Sequence, residues 1–142
     1  MINPTFKLLK GTELTDFQLY RAKWYLFPSY KIVERMPLEV DLELNTTCNR
    51  SCSYCEQSLD KPEPHIMPPK MVYEIIRQLE GVYAIKLNWR GEPLLYPGIE
   101  KVIKAAKLMG VLDVRINTNG DLLTHKMCKA LLNAGLDRKS VV

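Results

Sequence analysis

Three cysteines lie close together in the stretch CNRSCSYC and are the residues of this chain best suited to chemistry. Cys48, Cys52 and Cys55 have the spacing CxxxCxxC, which closes a short loop around a single metal centre. Iron–sulfur clusters are held by cysteine thiolates, and a cubane cluster takes four of them. Three thiolates on one loop therefore leave one iron able to bind a group that is not protein. The spacing favours a cluster whose open iron takes part in a reaction.

A zinc site is the main alternative for the same cysteines. His65 follows in a proline-flanked linker, and three thiolates with one imidazole form a Cys₃His set. Structural zinc sites usually pair a CxxC with a second, distant pair of ligands, whereas these three ligands are consecutive. A disulfide between Cys52 and Cys55 is favoured least, because the N-terminal residues lack the long apolar stretch of a secretion signal. From the residue types alone, both iron–sulfur and zinc binding stay open.

The segment around the cysteines resembles the CxxxCxΦC motif of radical S-adenosylmethionine (SAM) enzymes, in which Φ is aromatic and is here Tyr54. Residues 90–93, RGEP, resemble the GGEP stretch that follows the second strand in that family. Residues 116–120, INTNG, resemble the TNG ending of its third strand. Three motifs in this order are far more specific than one. The resemblance covers residues 38–142 and is greatest to the peptide-modifying, SPASM-type subgroup.

The resemblance implies a 4Fe-4S cluster on Cys48, Cys52 and Cys55, with the amino and carboxylate groups of SAM on the fourth iron. One electron would cleave SAM to methionine and a 5′-deoxyadenosyl radical, which abstracts hydrogen from a peptide or small-molecule substrate. An electron donor such as flavodoxin or ferredoxin is the implied partner. The resemblance also assigns Glu92 to the SAM amino group and Tyr54 to the neighbourhood of the adenine.

Three further residues belong to the SAM site that the resemblance implies: Gly91, Asn117 and Asn119. The pair Asn119-Gly120 is explained equally well as a turn between a strand and a helix. Pro93 favours an extended conformation of the preceding residue and could by itself set the shape of its loop. Arg90 stands where the family has its first glycine, and a guanidinium there could pair with a carboxylate of SAM or substrate. Asn49 and Arg50 are expected to shape the cysteine loop.

Composition sets the outer bounds of the function. The chain has 142 residues, 46% of them hydrophobic, and carries a net charge of +4. No apolar run approaches membrane-spanning length, so we expect a cytoplasmic protein without a membrane partner. The pI near 8.9 is mildly basic, but acidic residues are interspersed and no block of Lys and Arg stands out. Nucleic-acid binding is not indicated.

The hydrophobic pattern predicts strands and helices in alternation. The predicted strands are residues 38–45, 84–89, 113–117 and 138–142. Apolar residues at helical spacing predict helices over residues 72–79, 99–106 and 127–134. Cys128 lies on the last of these helices and is expected to be a small buried hydrophobe. Strands that alternate with helices of this length imply parallel βαβ units with right-handed crossovers.

Each predicted strand has one apolar and one polar face. In the first strand Val40, Leu42 and Leu44 alternate with acidic residues, and Trp89 is placed on the apolar face of the second. Parallel strands covered on both sides usually read as continuous apolar runs. The pattern therefore favours an α/β, partial radical SAM (β/α) barrel with a polar lumen. A two-layer sheet with one solvated face is the alternative.

The predicted organisation is an N-terminal extension, residues 1–37, followed by the N-terminal part of a radical SAM core, residues 38–142. A short amphipathic helix is expected after Thr15 and is expected to pack against the barrel. A family core continues beyond four strands, so we expect a truncated chain, marginally stable or self-associating, with a missing C-terminal half as a possible partner. A noncatalytic iron–sulfur or zinc-binding fragment that acts with a partner chain is the alternative function.

Overall fold

Four short parallel strands form one sheet in the order β1-β2-β3-β4. A computed structural model of the chain describes residues 15–60 and 62–141. The strands are β1, Glu39–Asp41; β2, Ala84–Lys86; β3, Asp113–Thr118; and β4, Arg138–Val141. Sequential parallel neighbours joined by helices confirm the predicted α/β fold. Val142, the last residue of the predicted fourth strand, lies outside the described residues.

Three amphipathic helices connect the strands. They are numbered after an N-terminal helix α1 and a short helix α2, and cover Pro69–Ile76 (α3), Ile99–Leu108 (α4) and His125–Ala134 (α5). α4 contacts α3, α5 and β3. The apolar sides of the helices and sheet supply buried residues such as Val72, Ile85 and Ile103. This shared core fixes the sheet, so that the loops at the strand ends start from defined positions.

Strands β1 and β2 are shorter than their sequence patterns predict. Pairing between β1 and β2 ends at Asp41 and Lys86. Beyond it, Leu42 N–H still donates to Lys86 O of β2, and Leu87 N–H donates to Arg115 O of β3. Leu87 remains fully buried, but Trp89 is 57% exposed. The prediction that Trp89 lies on the covered apolar face is therefore wrong, because the chain has left the sheet before this residue.

Residues 56–67 form a proline-containing connection between the cysteine segment and the first helix predicted from the sequence, and they contain the short helix α2, Glu56–Asp60. The carbonyl of Cys55 accepts hydrogen bonds from the backbone N–H groups of Ser58 and Leu59, at 2.9 and 3.2 Å. The cysteine segment therefore runs directly into a helical turn. Lys61, in the same connection, lies outside the described residues.

The chain divides into two compact units, Met1–Leu38 and Glu39–Val142. In the first, α1 spans Asp16–Tyr30 and begins with a capping box between Thr15 and Gln18, so the predicted N-terminal helix is confirmed. Residues 1–14 of the predicted extension lie outside the described residues. The assignment of residues 1–37 and 38–142 to an extension and a core domain stays a prediction. Every helix within the described ranges is too short or too polar to cross a bilayer.

Candidate functional site

Three loops leave the carboxyl ends of β1, β2 and β3 and meet at one edge of the sheet. We call them the cysteine loop (residues 48–55), the Glu92 loop (residues 88–92) and the Asn119 loop (residues 119–121). Parallel sheets place their ligand sites at this edge, since all the strand ends open on the same side. The predicted site residues fall on these loops or, for Asn117, at the end of β3.

Gly91 lets the Glu92 loop pack directly on the backbone that leads into the cysteine loop. A Cβ atom at Gly91 would overlap the carbonyl oxygen of Asn45 and lie 2.8 Å from that of Thr47. Beside this contact, Glu92 N–H donates to Thr47 O at 2.8 Å, and Asn45 Nδ2 donates to Glu92 O at 3.1 Å. A residue with a side chain does not fit here. The glycine of the GEP stretch thus has a packing reason.

The Glu92 carboxylate is buried and joins two loops. The residue is 3% exposed, and Oε1 accepts hydrogen bonds from Leu94 N at 3.0 Å and Thr118 Oγ1 at 2.7 Å. Oε2 accepts one from Asn119 N at 2.9 Å. An ionised carboxylate offers about four lone-pair positions. Three are used by the protein, which leaves Oε2 able to accept one further donor.

The cysteine loop is tied to the Asn119 loop by side chains. Arg50 Nε donates to Asp121 Oδ2 at 2.8 Å, and a second guanidinium nitrogen contacts Oδ1. Asn49 Nδ2 donates to the same carboxylate at 3.1 Å. Asn119 Nδ2 donates to Asn49 Oδ1 at 2.8 Å and lies 3.9 Å from Cys48 Sγ. These four side chains, which we call the Arg50–Asp121 bridge, hold the two loops together.

The bridge perturbs both of its charged members. Hydrogen bonding by Arg50, together with its positive charge, lowers the pKa of Asp121 below its usual value. The same hydrogen bond and the negative charge of Asp121 raise the pKa of Arg50. The two side chains are 46% and 37% exposed, so water screens the pair and it contributes little to global stability. Its importance lies in the position of the loop.

The three cysteines are free thiols of intermediate burial. In the part of the chain that the structure describes, no three His, Cys, Asp or Glu side chains are grouped so as to hold a metal ion. The donor chemistry nevertheless fits an iron–sulfur cluster, because soft thiolates are its usual ligands and all three lie on one loop. Cys48 Sγ also accepts a backbone hydrogen bond from Arg50 at 3.4 Å, the kind of contact that stabilises a thiolate.

His65, the fourth ligand of the zinc alternative, is held near the base of the cysteine loop by backbone contacts with Thr46. Its N–H donates to Thr46 Oγ1 at 2.8 Å, and its carbonyl accepts from Thr46 N at 2.9 Å. The residue is exposed, and its side chain belongs to no metal-ligand group of the described residues. Gln57 also contacts Thr46, because its Nε2 donates to the Thr46 carbonyl oxygen at 2.6 Å. The Oε1 atom of Gln57 is buried and has no hydrogen-bond partner among the described residues. The base of the loop therefore offers an acceptor for a donor group.

Arg90 is held by carboxylates of the chain itself. Its guanidinium contacts both carboxylate oxygens of Glu43 at 3.3 Å and Oδ2 of Asp60 at 3.2 Å. Its backbone N–H also donates to Glu43 Oε1, at 3.0 Å. Hydrogen bonding to Glu43 and the nearby negative charges raise the pKa of Arg90. Its partners within the chain are therefore Glu43, just beyond β1, and Asp60 of helix α2. Pairing of Arg90 with a carboxylate of SAM or substrate stays a prediction.

The remaining sequence-predicted residues differ in their surroundings. Tyr54 is 87% exposed, and Asn117 is exposed while its backbone N–H donates to Asn88 Oδ1 at 2.9 Å. Asn119 forms a turn in which its Oδ1 accepts from Asp121 N at 3.0 Å, and Gly120 follows with φ of +83°. The turn interpretation of this pair is therefore present in the structure. Contacts of these residues with SAM stay predictions.

Cys128 is half-buried on α5, so it is less enclosed than the buried core residue expected from the sequence.

Asp121 is a member of the site that the sequence reasoning missed. Its contacts with Arg50 and Asn49 join residues 71 and 72 positions apart, which no local pattern reveals. Asn45 and Thr118 were likewise not assigned to the site, although Asn45 ends the first predicted strand and Thr118 directly follows the third. That position is the one signal that could have found them.

The polar face of the sheet carries a row of cations. Lys86, Arg115 and Arg138 are in register on β2, β3 and β4. They line a cavity of about 460 Å³ together with Asn117 and Ser140. The acidic residues that pair with them are Asp41, Glu39 and Asp113, respectively. This face therefore presents matched charges to the cavity.

The sequence profile of the radical SAM superfamily matches residues 42–141, which contain all three loops. The chain belongs to the radical SAM superfamily. Among curated members, it is 36% identical over 111 residues to the probable GTP 3′,8-cyclase of Methanothermobacter marburgensis. It is 31% identical over 104 residues to the S-adenosyl-L-methionine-dependent 2-deoxy-scyllo-inosamine dehydrogenase of Niallia circulans. These matches cover 75% and 70% of this chain but only 35% and 42% of the relatives.

Solved radical SAM structures share the fold. BtrN in complex with AdoMet and 2-DOIA superposes with a TM-score of 0.67 and 29% identity, over 77% of this chain and 46% of that one. Streptococcus suis SuiB bound to S-adenosylmethionine gives a TM-score of 0.64 over 95% of this chain and 32% of its own. Its 19% identity supports a likeness of fold alone. The family implies a 4Fe-4S cluster and SAM, and both of these solved structures contain SAM.

Proposed function

We propose that this chain carries the cluster- and SAM-amino-binding part of a radical SAM enzyme. The observation that carries the proposal is the placement of three free thiols on one loop, joined by side-chain contacts to the loop after β3. Cys48, Cys52 and Cys55 would hold a 4Fe-4S cluster, and SAM would bind beside it. When bound and reduced, this pair supplies a 5′-deoxyadenosyl radical for hydrogen abstraction, with flavodoxin or ferredoxin as the class of electron donor.

The residues of the chain would bind and orient SAM. Glu92 has one acceptor position left on Oε2, which suits the ammonium group of SAM in a charge-assisted hydrogen bond. Gly91, Asn117 and Asn119 would form the adjoining wall. Tyr54, exposed in this structure, would pack near the adenine. Glu92 would thus serve both the internal loops and the ligand.

A polar, charged small molecule is the substrate class that the site favours. The cavity on the polar face is lined by Lys86, Arg115 and Arg138, which can exchange their carboxylate partners for groups of a ligand. The relatives named above are a GTP cyclase and an inosamine dehydrogenase, whose named substrates are also polar. A peptide substrate, as in the solved complex of SuiB with its precursor peptide SuiA, is the second candidate. Both would enter the proposed barrel lumen from the polar face.

Anaerobic reconstitution tests the metal assignment. We expect the chain to bind one oxygen-sensitive 4Fe-4S cluster, measured as iron, acid-labile sulfide and an electron paramagnetic resonance signal after reduction. Alanine at position 48, 52 or 55 should abolish it, because three thiolates are the minimum set. Cys128→Ala is the matched control and should bind a full cluster, since this cysteine lies on α5 away from the loop. Stoichiometric zinc without iron or sulfide would contradict the proposal and favour a Cys₃His site with His65.

A further inference from the structure

We propose that Arg50 and Asp121 are positioning residues that dock the cysteine loop on the Asn119 loop before any metal binds. The purpose of this docking rests on the proposed function, but the contacts themselves are present in the chain without any metal. A fork of guanidinium nitrogens on both carboxylate oxygens fixes distance and orientation together, which a single-point contact does not. The bridge would set how readily the three thiols assemble around iron and sulfide.

The first step of the argument is where the fork lies. Arg50 falls between Cys48 and Cys52, so restraining its side chain restrains the part of the loop that separates two of the proposed ligands. Its backbone N–H also donates to Cys48 Sγ at 3.4 Å. One residue thus contacts a thiol through its backbone and the neighbouring loop through its side chain. A displacement of the Arg50 side chain would be passed directly to Cys48.

The second step is that the bridge continues into the buried part of the site. Asn119 contacts Asn49 by its side chain and Glu92 by its backbone N–H, at 2.8 and 2.9 Å. Glu92 in turn is 3% exposed and fixed by Thr118 at the end of β3. The exposed cysteine loop is therefore connected through Asn119 to a rigid strand end. Docking through Asp121 therefore positions the cysteine loop relative to the sheet.

The third step concerns magnitude. Both charged side chains are more than one-third exposed, so the pair adds little to the global stability of the fold. The same contact can still shift a local equilibrium of loop opening, because opening of an exposed loop starts from a free energy near zero. We therefore expect local effects of the bridge with little change in the melting temperature. This separates positioning from general structural support.

Hydrogen exchange of the metal-free chain is the first test. Arg50→Gln and Asp121→Ala should each speed amide exchange in residues 48–55 by about two- to fivefold. The double variant should exchange no faster than the faster single variant, because both changes remove one shared contact. Arg50→Lys should fall between wild type and Arg50→Gln, since an ammonium keeps the charge without the fork. Lys107→Gln is the matched control: Lys107 lies on α4, and the change breaks its partly exposed ion pair with Asp137 but should leave exchange in residues 48–55 unchanged.

Reconstitution with iron and sulfide is the second test. The same variants should reach a full cluster more slowly than wild type, in the same rank order, with melting temperatures of the metal-free proteins within a few degrees of one another. Additive effects of the two single changes, equal behaviour of Arg50→Lys and wild type, or unchanged exchange in both single variants would overturn the proposal. If the wild type binds no cluster, the proposed function fails, while the exchange experiment still decides whether the bridge docks the loop.

Discussion

The cysteine loop and the Glu92 loop follow neighbouring strands at one edge of the sheet, yet they are held in different ways. The Glu92 loop is fixed by backbone packing at Gly91 and by a buried carboxylate with three donors. The cysteine loop is fixed at its surface by the Arg50–Asp121 bridge. Buried hydrogen bonds are costly to break, whereas exposed ion pairs are cheap. The comparison therefore assigns rigidity to the proposed SAM side and adaptability to the proposed metal side.

The largest expected effect is at Gly91, where a substitution would disrupt the packing that distinguishes the Glu92 loop from the cysteine loop. Gly91→Ala should lower the free energy of unfolding by at least about 3 kcal/mol, because its Cβ would overlap the Asn45 carbonyl and force the two backbones apart. Gly110→Ala is the matched control. Gly110 has a φ of +86° and open space around it, so only backbone strain of about 1–2 kcal/mol is expected. Denaturant unfolding measures both, and equal losses would show that the Glu92 loop is not tightly packed.

A smaller effect is expected from Glu92. Glu92→Ala leaves the donors of Leu94, Thr118 and Asn119 unsatisfied and should cost about 2–3 kcal/mol of unfolding free energy. Glu92→Gln retains one acceptor oxygen but places an amide NH₂ group against donors that the carboxylate accepted, so we expect a loss of about 1–2 kcal/mol of unfolding free energy. Denaturant unfolding gives these values, and equilibrium binding tests whether SAM affinity falls as well. Full stability of Glu92→Ala would contradict the structural role described for this carboxylate.

The smallest effect sharpens the exposed side of the comparison. Arg50 lowers the pKa of Asp121 in the folded chain. The small contribution of this carboxylate to folding stability is therefore present above its unfolded pKa, and it is lost as the pH falls through the lower folded pKa. Carboxyl NMR of the metal-free chain should give Asp121 a midpoint below 3.8, the ordinary value for aspartate. Arg50→Gln should return the midpoint toward 3.8. A midpoint at or above the ordinary value in wild type would mean that the bridge does not form in solution.

The sequence predicted the sheet because its evidence is local and repeated. Period-two strands and the helical spacing of residues such as Val72 and Ile76 depend only on near neighbours, and the parallel order followed from their alternation. Strand ends were less predictable, as Trp89 shows. Its alternation continues past Lys86, but pairing partners end there, and pairing depends on residues far away in the chain. The helix Glu56–Asp60 was missed because five residues carry too little periodicity to recognise.

The candidate site was predictable in its motifs but not in its contacts. The spacing of the cysteines and the GEP and TNG stretches located the three loops that meet in the structure. The partners of Arg90 were not foreseen, because Glu43 and Asp60 come from other segments of the chain. Glu92 was assigned to a ligand, although most of its hydrogen-bonding capacity is used internally. Charged side chains find partners through the fold, and a single sequence does not contain that information.

The separation of Arg50 from Asp121 has a consequence for the order of events during biosynthesis. The bridge joins residues 71 positions apart. At a translation rate of 5–20 residues per second, the cysteine loop leaves the ribosome roughly 4–14 s before its docking partner. During that interval the three thiols have neither the Asn119 loop nor the Glu92 carboxylate network to organise them. The proposed cluster would therefore enter an ordered cysteine loop only after β3 and the Asn119 loop have emerged from the ribosome.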